Sequence, residues 1–265
     1  DSLRNTDGQL IATAYYYHYL RLMGHFAELL HRPKDAAAFD VKATAVQRVF
    51  NLKFLMDGHY GNNTVTANLL PLYFGITPEE QRKEVFRHIV EKIEKDNHGH
   101  ISTGVIGTQW LMRGLTRYGR GDLAWKIATN RDYPGWGYMV EHGATTIWEL
   151  WNGNTANPEM NSQNHVMLLG DLIAWCFQDL AGIAPATPGF KKIRMAPVFP
   201  EGLNFINATY QTPYGEVVSR WKRRDEMVIW DIIVPPNTEA EVHLPDGRMT
   251  TIGSGKYHFE VKPGI

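Results

Sequence analysis

The sequence has 265 residues, 43% hydrophobic and 21% charged, with 27 Lys and Arg against 28 Asp and Glu and a net charge of −1. That is enough apolar side chain for a core and enough charge for a soluble surface, and it gives no electrostatic pull toward nucleic acid or an anionic membrane. No apolar run approaches the ~18–20 residues that span a bilayer, so no membrane partner is expected. The lone cysteine, Cys176, cannot form an intrachain disulfide, and its apolar setting in Ile173-Ala-Trp-Cys-Phe marks it as buried packing. No signal peptide is visible, but the first residues already read as the approach to a helix, which leaves the natural N-terminus and the compartment open.

Residues 1–182 read as helical. Thr6-Asp-Gly-Gln9 resembles a capping box, and Leu10, Ala14, Tyr17, Met23, Phe26 and Leu30 follow at helical spacing. A second helix starts near Pro33–Asp35 and uses Phe39, Ala43, Val46, Phe50 and Phe54 on one face. Asp57-Gly58 and Gly61-Asn62-Asn63 break it. A short helix from Thr64 to about Phe74 comes next. Thr77-Pro-Glu-Glu80 is a start signal with Thr as N-cap, and that helix runs to about Lys95. Two more are expected from about Gly107 to Tyr118 and from Asp122 to about Asn130. A last one is expected through Val166, Leu169, Ile173, Phe177 and Leu180.

At Gly182 the period changes. Pro185, Pro188, Pro197 and Pro200 make a linker-like passage. Alternation then sets in at Trp230, Ile232 and Val234, at Ala240, Val242 and Leu244, and at Tyr257, Phe259 and Val261. With turns at Tyr214-Gly215, Pro236-Asn237 and Asp246-Gly247, this predicts an antiparallel sheet domain of six to eight short strands. The boundary is placed near residue 184, giving a helical domain over 1–183 and a β domain over 184–265. Paired antiparallel helices suggest a toroid of helical hairpins, but about seven helices are too few for a ring of twelve, and no fixed repeat period is visible.

The stretch from Asp132 to His165 is dense in aromatics, glycines and acids. It holds Tyr133, Trp136, Tyr138, Trp148 and Trp151, with Glu149 set between tryptophans. Loops on a rigid scaffold often carry function, and aromatic faces with acids suit a site that holds and cleaves sugars. Glu149 is the first candidate acid or base; the alternative is a surface Glu at a loop or helix start. Asp132 is either functional or a turn cap, while Glu141 and Glu159 read as solvated. His165 opens the last helix, where it either donates to a sugar hydroxyl or caps and packs. Trp136, Trp148 and Trp151 are sugar platforms or core. His98 and His100 are the only close histidine pair and lack a metal-binding context, so no metal and no cofactor are expected. No GxGxxG, P-loop or GxSxG motif occurs.

Gly143-Ala-Thr-Thr-Ile-Trp-Glu149-Leu-Trp, preceded by Asp132-Tyr-Pro-Gly-Trp-Gly-Tyr-Met, closely resembles the central motif of bacterial α-L-rhamnosidases of glycoside hydrolase family 78. Thr64-Val-Thr-Ala67 with Phe74-Gly, and His100-Ile-Ser-Thr-Gly-Val-Ile-Gly-Thr108, resemble inner-helix segments of that family, and Asn161-Ser-Gln-Asn-His165 resembles its last inner helix. Pro188-Gly-Phe-Lys-Lys-Ile and Pro213-Tyr-Gly-Glu-Val-Val-Ser-Arg-Trp resemble its C-terminal β-domain.

The resemblance implies a partial (α/α)6 barrel, or six-hairpin toroid, followed by an antiparallel, jelly-roll-like β-sandwich. It implies hydrolysis of terminal α-L-rhamnosides with inversion, Glu149 acting as general base. The implied substrate contacts are His165 and Asn164, with Trp136, Trp148, Trp151, Tyr133, Tyr138 and Asp132 around them. The interval between Trp151 and Met160 is shorter than usual in the family, which leaves the aglycone side open. The family's general acid lies on an earlier part of the barrel. The chain is therefore expected to be a C-terminal portion whose partner is the N-terminal part of the same enzyme, to expose apolar helix faces, and to be inactive alone. Such an enzyme is soluble and bacterial in type, cytoplasmic or secreted. Another (α/α)6 glycosidase, or a non-catalytic carbohydrate-binding or scaffold fragment, are the other readings.

Overall fold

The computed structural model describes residues 6–160 and 162–264. Asn161, the first residue of the Asn161–His165 motif, lies outside the described residues. Two compact units divide the chain: Asp1–Gly114 with Lys126–Gly170, and Leu115–Trp125 with Asp171–Ile265.

The first unit opens with α1 (Gly8–Leu29) and α2 (Pro33–Phe54), joined by a short turn. Lys53 Nζ donates to Gln9 Oε1 at one end, and Arg21 pairs with Asp40 toward the other, so the helices run antiparallel. Asp7, not Thr6, is the N-cap, accepting from the Gln9 N–H at 2.7 Å; the Thr6 hydroxyl pairs with Thr64 Oγ1 instead. The helix α1 has two apolar stripes. Leu10, Ala14, Tyr17, Leu20 and Ala27 are buried, whereas Tyr16, Tyr19, Met23, Phe26 and Leu30 are 46–68% exposed. The expected single face, which joined Met23, Phe26 and Leu30 to Leu10, is thus split, because periodicity shows that a stripe exists and not whether anything covers it.

The hairpin β1 (Leu55–Met56) and β2 (His59–Tyr60) turns at Asp57-Gly58, both in the left-handed region, as this dipeptide favours. Thr64 caps α3 (Val65–Phe74), accepting from the Ala67 N–H at 3.1 Å, and Gly75 ends it in the left-handed conformation. The next start differs from expectation: Thr77 makes no cap bond, and a 3-10 turn at Glu79–Gln81 leads into α4 (Arg82–Glu91). Then come α5 (Val105–Arg117), α6 (Gly121–Thr129) and a short α7 (Trp136–Glu141) inside the Asp132–His165 stretch.

The last predicted helix is broken. A 3-10 turn at Val166–Leu169 ends at Gly170, and α8 (Leu172–Trp175) resumes and widens over Cys176–Leu180. Gly170 has φ +57°, and a Cβ there would lie 2.4 Å from the Thr108 carbonyl oxygen. The chain passes too close to α5 for any side chain, so the helix stops. Cys176 is half-buried, and burial pushes its thiol pKa up.

The second unit holds a β-sandwich. One sheet has the order β10 (Gly255–Val261), β7 (Met227–Val234), β6 (Gly215–Arg224), β5 (Phe205–Thr212), all antiparallel. The other has the order β3 (Ile183–Pro185), β4 (Lys192–Met195), β8 (Glu239–His243), β9 (Met249–Ile252). Here β4 and β8 pair in parallel, a departure from the all-antiparallel expectation. The proline-rich passage is not a linker either, since it contributes β3 and β4, with its prolines at or beyond strand ends. Ile183, Ile193, Met195, Ala240 and Val242 pack against Val217, Trp221, Trp230, Ile232 and Val234 to make the core. Buried Ser219 donates to the Ala181 carbonyl at 2.7 Å and accepts from Trp230 Nε1 at 2.9 Å, which satisfies both polar groups.

Candidate active site

Two segments run antiparallel in the first unit. The His165 N–H donates to the Ile147 carbonyl at 2.8 Å, and the Glu149 N–H to the Ser162 carbonyl at 2.9 Å. The Thr146 hydroxyl donates to the Gln163 carbonyl. Glu149 Oε2 then accepts from the Ser162 N–H at 2.8 Å. This clasp sets Glu149 and His165 on paired backbone segments.

One carboxylate oxygen of Glu149 is therefore anchored by a backbone amide, and no described residue donates to Oε1. The side chain of His165 makes no cap hydrogen bond, and its Nδ1 is buried without a partner among the described residues. No described residue therefore sets the tautomer of the ring through Nδ1. Asn164 is exposed, its N–H donating to Ser162 Oγ at 3.2 Å.

The tryptophans lie deeper. Trp136, Trp148 and Trp151 are 5%, 4% and 2% exposed. Trp136 Nε1 donates to the Leu168 carbonyl at 2.9 Å, Trp151 Nε1 to the Thr103 carbonyl at 3.2 Å, and the two rings meet edge to face at 5.5 Å. Gly153 rests on Trp148, where a Cβ would come within 2.7 Å of the ring. In this arrangement none of the three offers an open face; they pack into the core. The exposed aromatic is Tyr133, in the turn before α7, beside the half-buried Tyr138. Tyr133 is 49% exposed and meets Tyr138 edge to face at 5.4 Å, while the Tyr138 hydroxyl donates to Asn154 Oδ1 at 3.2 Å.

Asp132 is exposed and does not cap its turn; Asn130 does, its side chain accepting from the Asp132 N–H at 2.9 Å. Glu141 forms an exposed ion pair with Arg131. Among the described residues no group of three or more His, Cys, Asp and Glu is placed to hold a metal ion, and no helix is long and apolar enough to cross a membrane.

Residues 1–180 match the family model described as the bacterial alpha-L-rhamnosidase 6 hairpin glycosidase domain, and residues 182–259 match the bacterial alpha-L-rhamnosidase C-terminal domain. The chain belongs to the bacterial α-L-rhamnosidase family. An α-L-rhamnosidase of Formosa agariphila is 37% identical over 263 residues, covering 96% of this chain and 28% of that protein. One from Streptomyces avermitilis is 34% identical over 246 residues, covering 91% and 24%. Among solved structures, the Streptomyces avermitilis α-L-rhamnosidase complexed with L-rhamnose aligns with a TM-score of 0.93 at 31% identity, over 97% of this chain and 27% of that one. The α-L-rhamnosidase from Dictyoglumus thermophilum aligns with a TM-score of 0.90 at 31% identity, over 94% and 31%. The chain thus spans about a quarter of the length of the curated relatives it matches.

Side-chain chemistry in the sequence singled out Glu149 and His165 as candidates and gave no comparable sign of Ser162 and Thr146, which the fold joins to them. Ser162 acts through its backbone N–H, which every residue but proline carries. Thr146 left a fainter signal, a hydroxyl three residues before the candidate acid.

Proposed function

We propose that this chain carries the water-activating half of an inverting α-L-rhamnosidase, with Glu149 as general base. The observation that supports this most is the asymmetric fixing of its carboxylate. Oε2 is held by the Ser162 N–H, and Oε1, to which no described residue donates, takes a proton from water in this reading. The deprotonated water attacks the anomeric carbon on the face opposite the leaving oxygen, and a general acid gives that oxygen a proton. In an inverting enzyme the two carboxyl groups stand roughly 6.5–9.5 Å apart, with the water between. The acid is assigned to a part of the enzyme outside this stretch, so the chain by itself is expected to be inactive. His165 and Asn164 contact the sugar, Asp132, Tyr133 and Tyr138 form a wall, and Trp136, Trp148 and Trp151 pack into the core.

The partner in this reading is the N-terminal part of the same enzyme, covering the exposed stripe of α1. The share of the relatives' length that this chain spans supports that assignment. The test is Glu149→Gln in the full-length protein, assayed on an aryl α-L-rhamnoside. A kcat lower by about 10³-fold or more is expected, as for loss of an acid–base group in a preorganised site. Wild-type turnover would remove Glu149 from the mechanism.

A further inference from the structure

We infer that Thr146 is a positioning residue for the Glu149 carboxylate, an inference that rests on Glu149 being the base. The Ser162 N–H that anchors Oε2 belongs to a segment with no helix or sheet of its own around it. Besides the backbone bonds from the Glu149 N–H to the Ser162 carbonyl and from the His165 N–H to the Ile147 carbonyl, that segment is restrained through the peptide between Gln163 and Asn164, held at both ends. Its carbonyl accepts from the Thr146 hydroxyl, and its N–H donates to Ser162 Oγ at 3.2 Å. A planar peptide restrained at both ends cannot rotate freely, so the neighbouring Ser162 keeps its amide directed at Glu149.

Among the described residues, the Thr146 hydroxyl bonds across the clasp beside the two backbone bonds and the anchor to the Glu149 carboxylate itself. Thr146 is exposed, so its hydroxyl would be equally well solvated by water, and its bond to Gln163 places a neighbour without driving burial. The residue touches no reacting atom in this scheme. Its effect passes through Ser162 to the direction of Oε1, and misdirection of a reacting group by about 1 Å costs on the order of 10²-fold in rate.

The test uses the full-length protein with Thr146→Val, which keeps the shape and removes the hydroxyl, and Thr146→Ser, which keeps the hydroxyl. Turnover of an aryl α-L-rhamnoside is divided by the number of L-rhamnose-binding sites counted by calorimetry, so that unfolded molecules do not enter. Thr146→Val is expected to lower kcat per site by about 10–100-fold, with KM moving by less than about threefold, and Thr146→Ser to restore kcat to within about threefold. Combined with Glu149→Gln, Thr146→Val is expected to add less than about twofold, because the group it aims is already gone. An unchanged kcat in Thr146→Val, a loss in Thr146→Ser as large as in Thr146→Val, or the same loss in both Glu149 backgrounds would overturn the assignment. So would disappearance of rhamnose binding in both Thr146→Val and Thr146→Ala, which would make the residue structural. Wild-type turnover in Glu149→Gln would instead refute the base itself.

Discussion

Glu149 and Ser162 hold each other reciprocally: the Glu149 N–H donates to the Ser162 carbonyl at 2.9 Å, and the Ser162 N–H returns a bond to Glu149 Oε2 at 2.8 Å. A charge-assisted bond from a backbone amide is stronger than a neutral one and adds direction. Ser162→Pro deletes the donor and is expected to lower kcat on an aryl rhamnoside by about 100-fold. Ser162→Ala keeps the N–H and is expected to cost less than about tenfold. Steady-state kinetics on the full-length protein checks both, and equal activities would show that the amide does not matter.

Gly170 stops the last helix because α5 stands in the way. Its φ of +57° and the 2.4 Å approach of a would-be Cβ to the Thr108 carbonyl leave a side chain no room. Gly170→Ala is expected to destabilise the protein by about 2–3 kcal/mol, from the left-handed backbone and the displacement of backbone from backbone. A lower denaturant midpoint at unchanged m-value would report it; an unchanged midpoint would mean that the turn relaxes easily.

Features whose cause is local were legible in the sequence. Thr64 caps the helix it was expected to begin, Asp57-Gly58 turns the chain, and Trp230, Ile232 and Val234 face the core at the expected alternation. Features with distant causes were not. The break at Gly170 depends on Thr108, the second stripe of α1 looks from periodicity like the first, and the parallel pairing joins Lys192–Met195 to strand residues far along the chain. In the site, the acid between tryptophans and the resemblance pointed to Glu149. That the indoles would face inward, with their N–H groups on the Leu168 and Thr103 carbonyls, is a matter of tertiary packing that residue type does not carry.

On the β-sandwich, His258 Nδ1 lies 2.6 Å from Asp231 Oδ1, and Nε2 lies 3.3 Å from Glu260 Oε1. Asp231 first and Glu260 second hold the imidazole pKa above its ordinary value. Raised in the folded state, the group contributes stability that is fully present below the unfolded pKa of about 6.5 and is lost as pH rises through the higher folded value. Wild type minus His258→Gln should therefore show a gain in unfolding midpoint near pH 5.5 that fades above neutrality. High salt should shrink it, because the side chains are exposed. A pH-independent difference would mean that the pairs contribute no linkage.

The exposed stripe of α1 yields opposite expectations in two settings. Tyr16, Tyr19, Met23, Phe26 and Leu30 recur at spacings of three and four, the pattern of a helix face that packs on another element, yet each is 46–68% exposed. A large side chain fully buried contributes roughly 1.5–3 kcal/mol. In this chain alone, Tyr19→Asp with Phe26→Asp should leave the unfolding midpoint nearly unchanged and reduce binding of a hydrophobic dye and self-association, since little packing is lost. In the full-length enzyme the same pair should cost several kcal/mol and lower rhamnosidase activity with it, because the stripe is there assigned to the N-terminal part. Thermal unfolding of both proteins, with and without the substitutions, decides the matter: an equal effect in the two would show that this face has no partner in the whole enzyme.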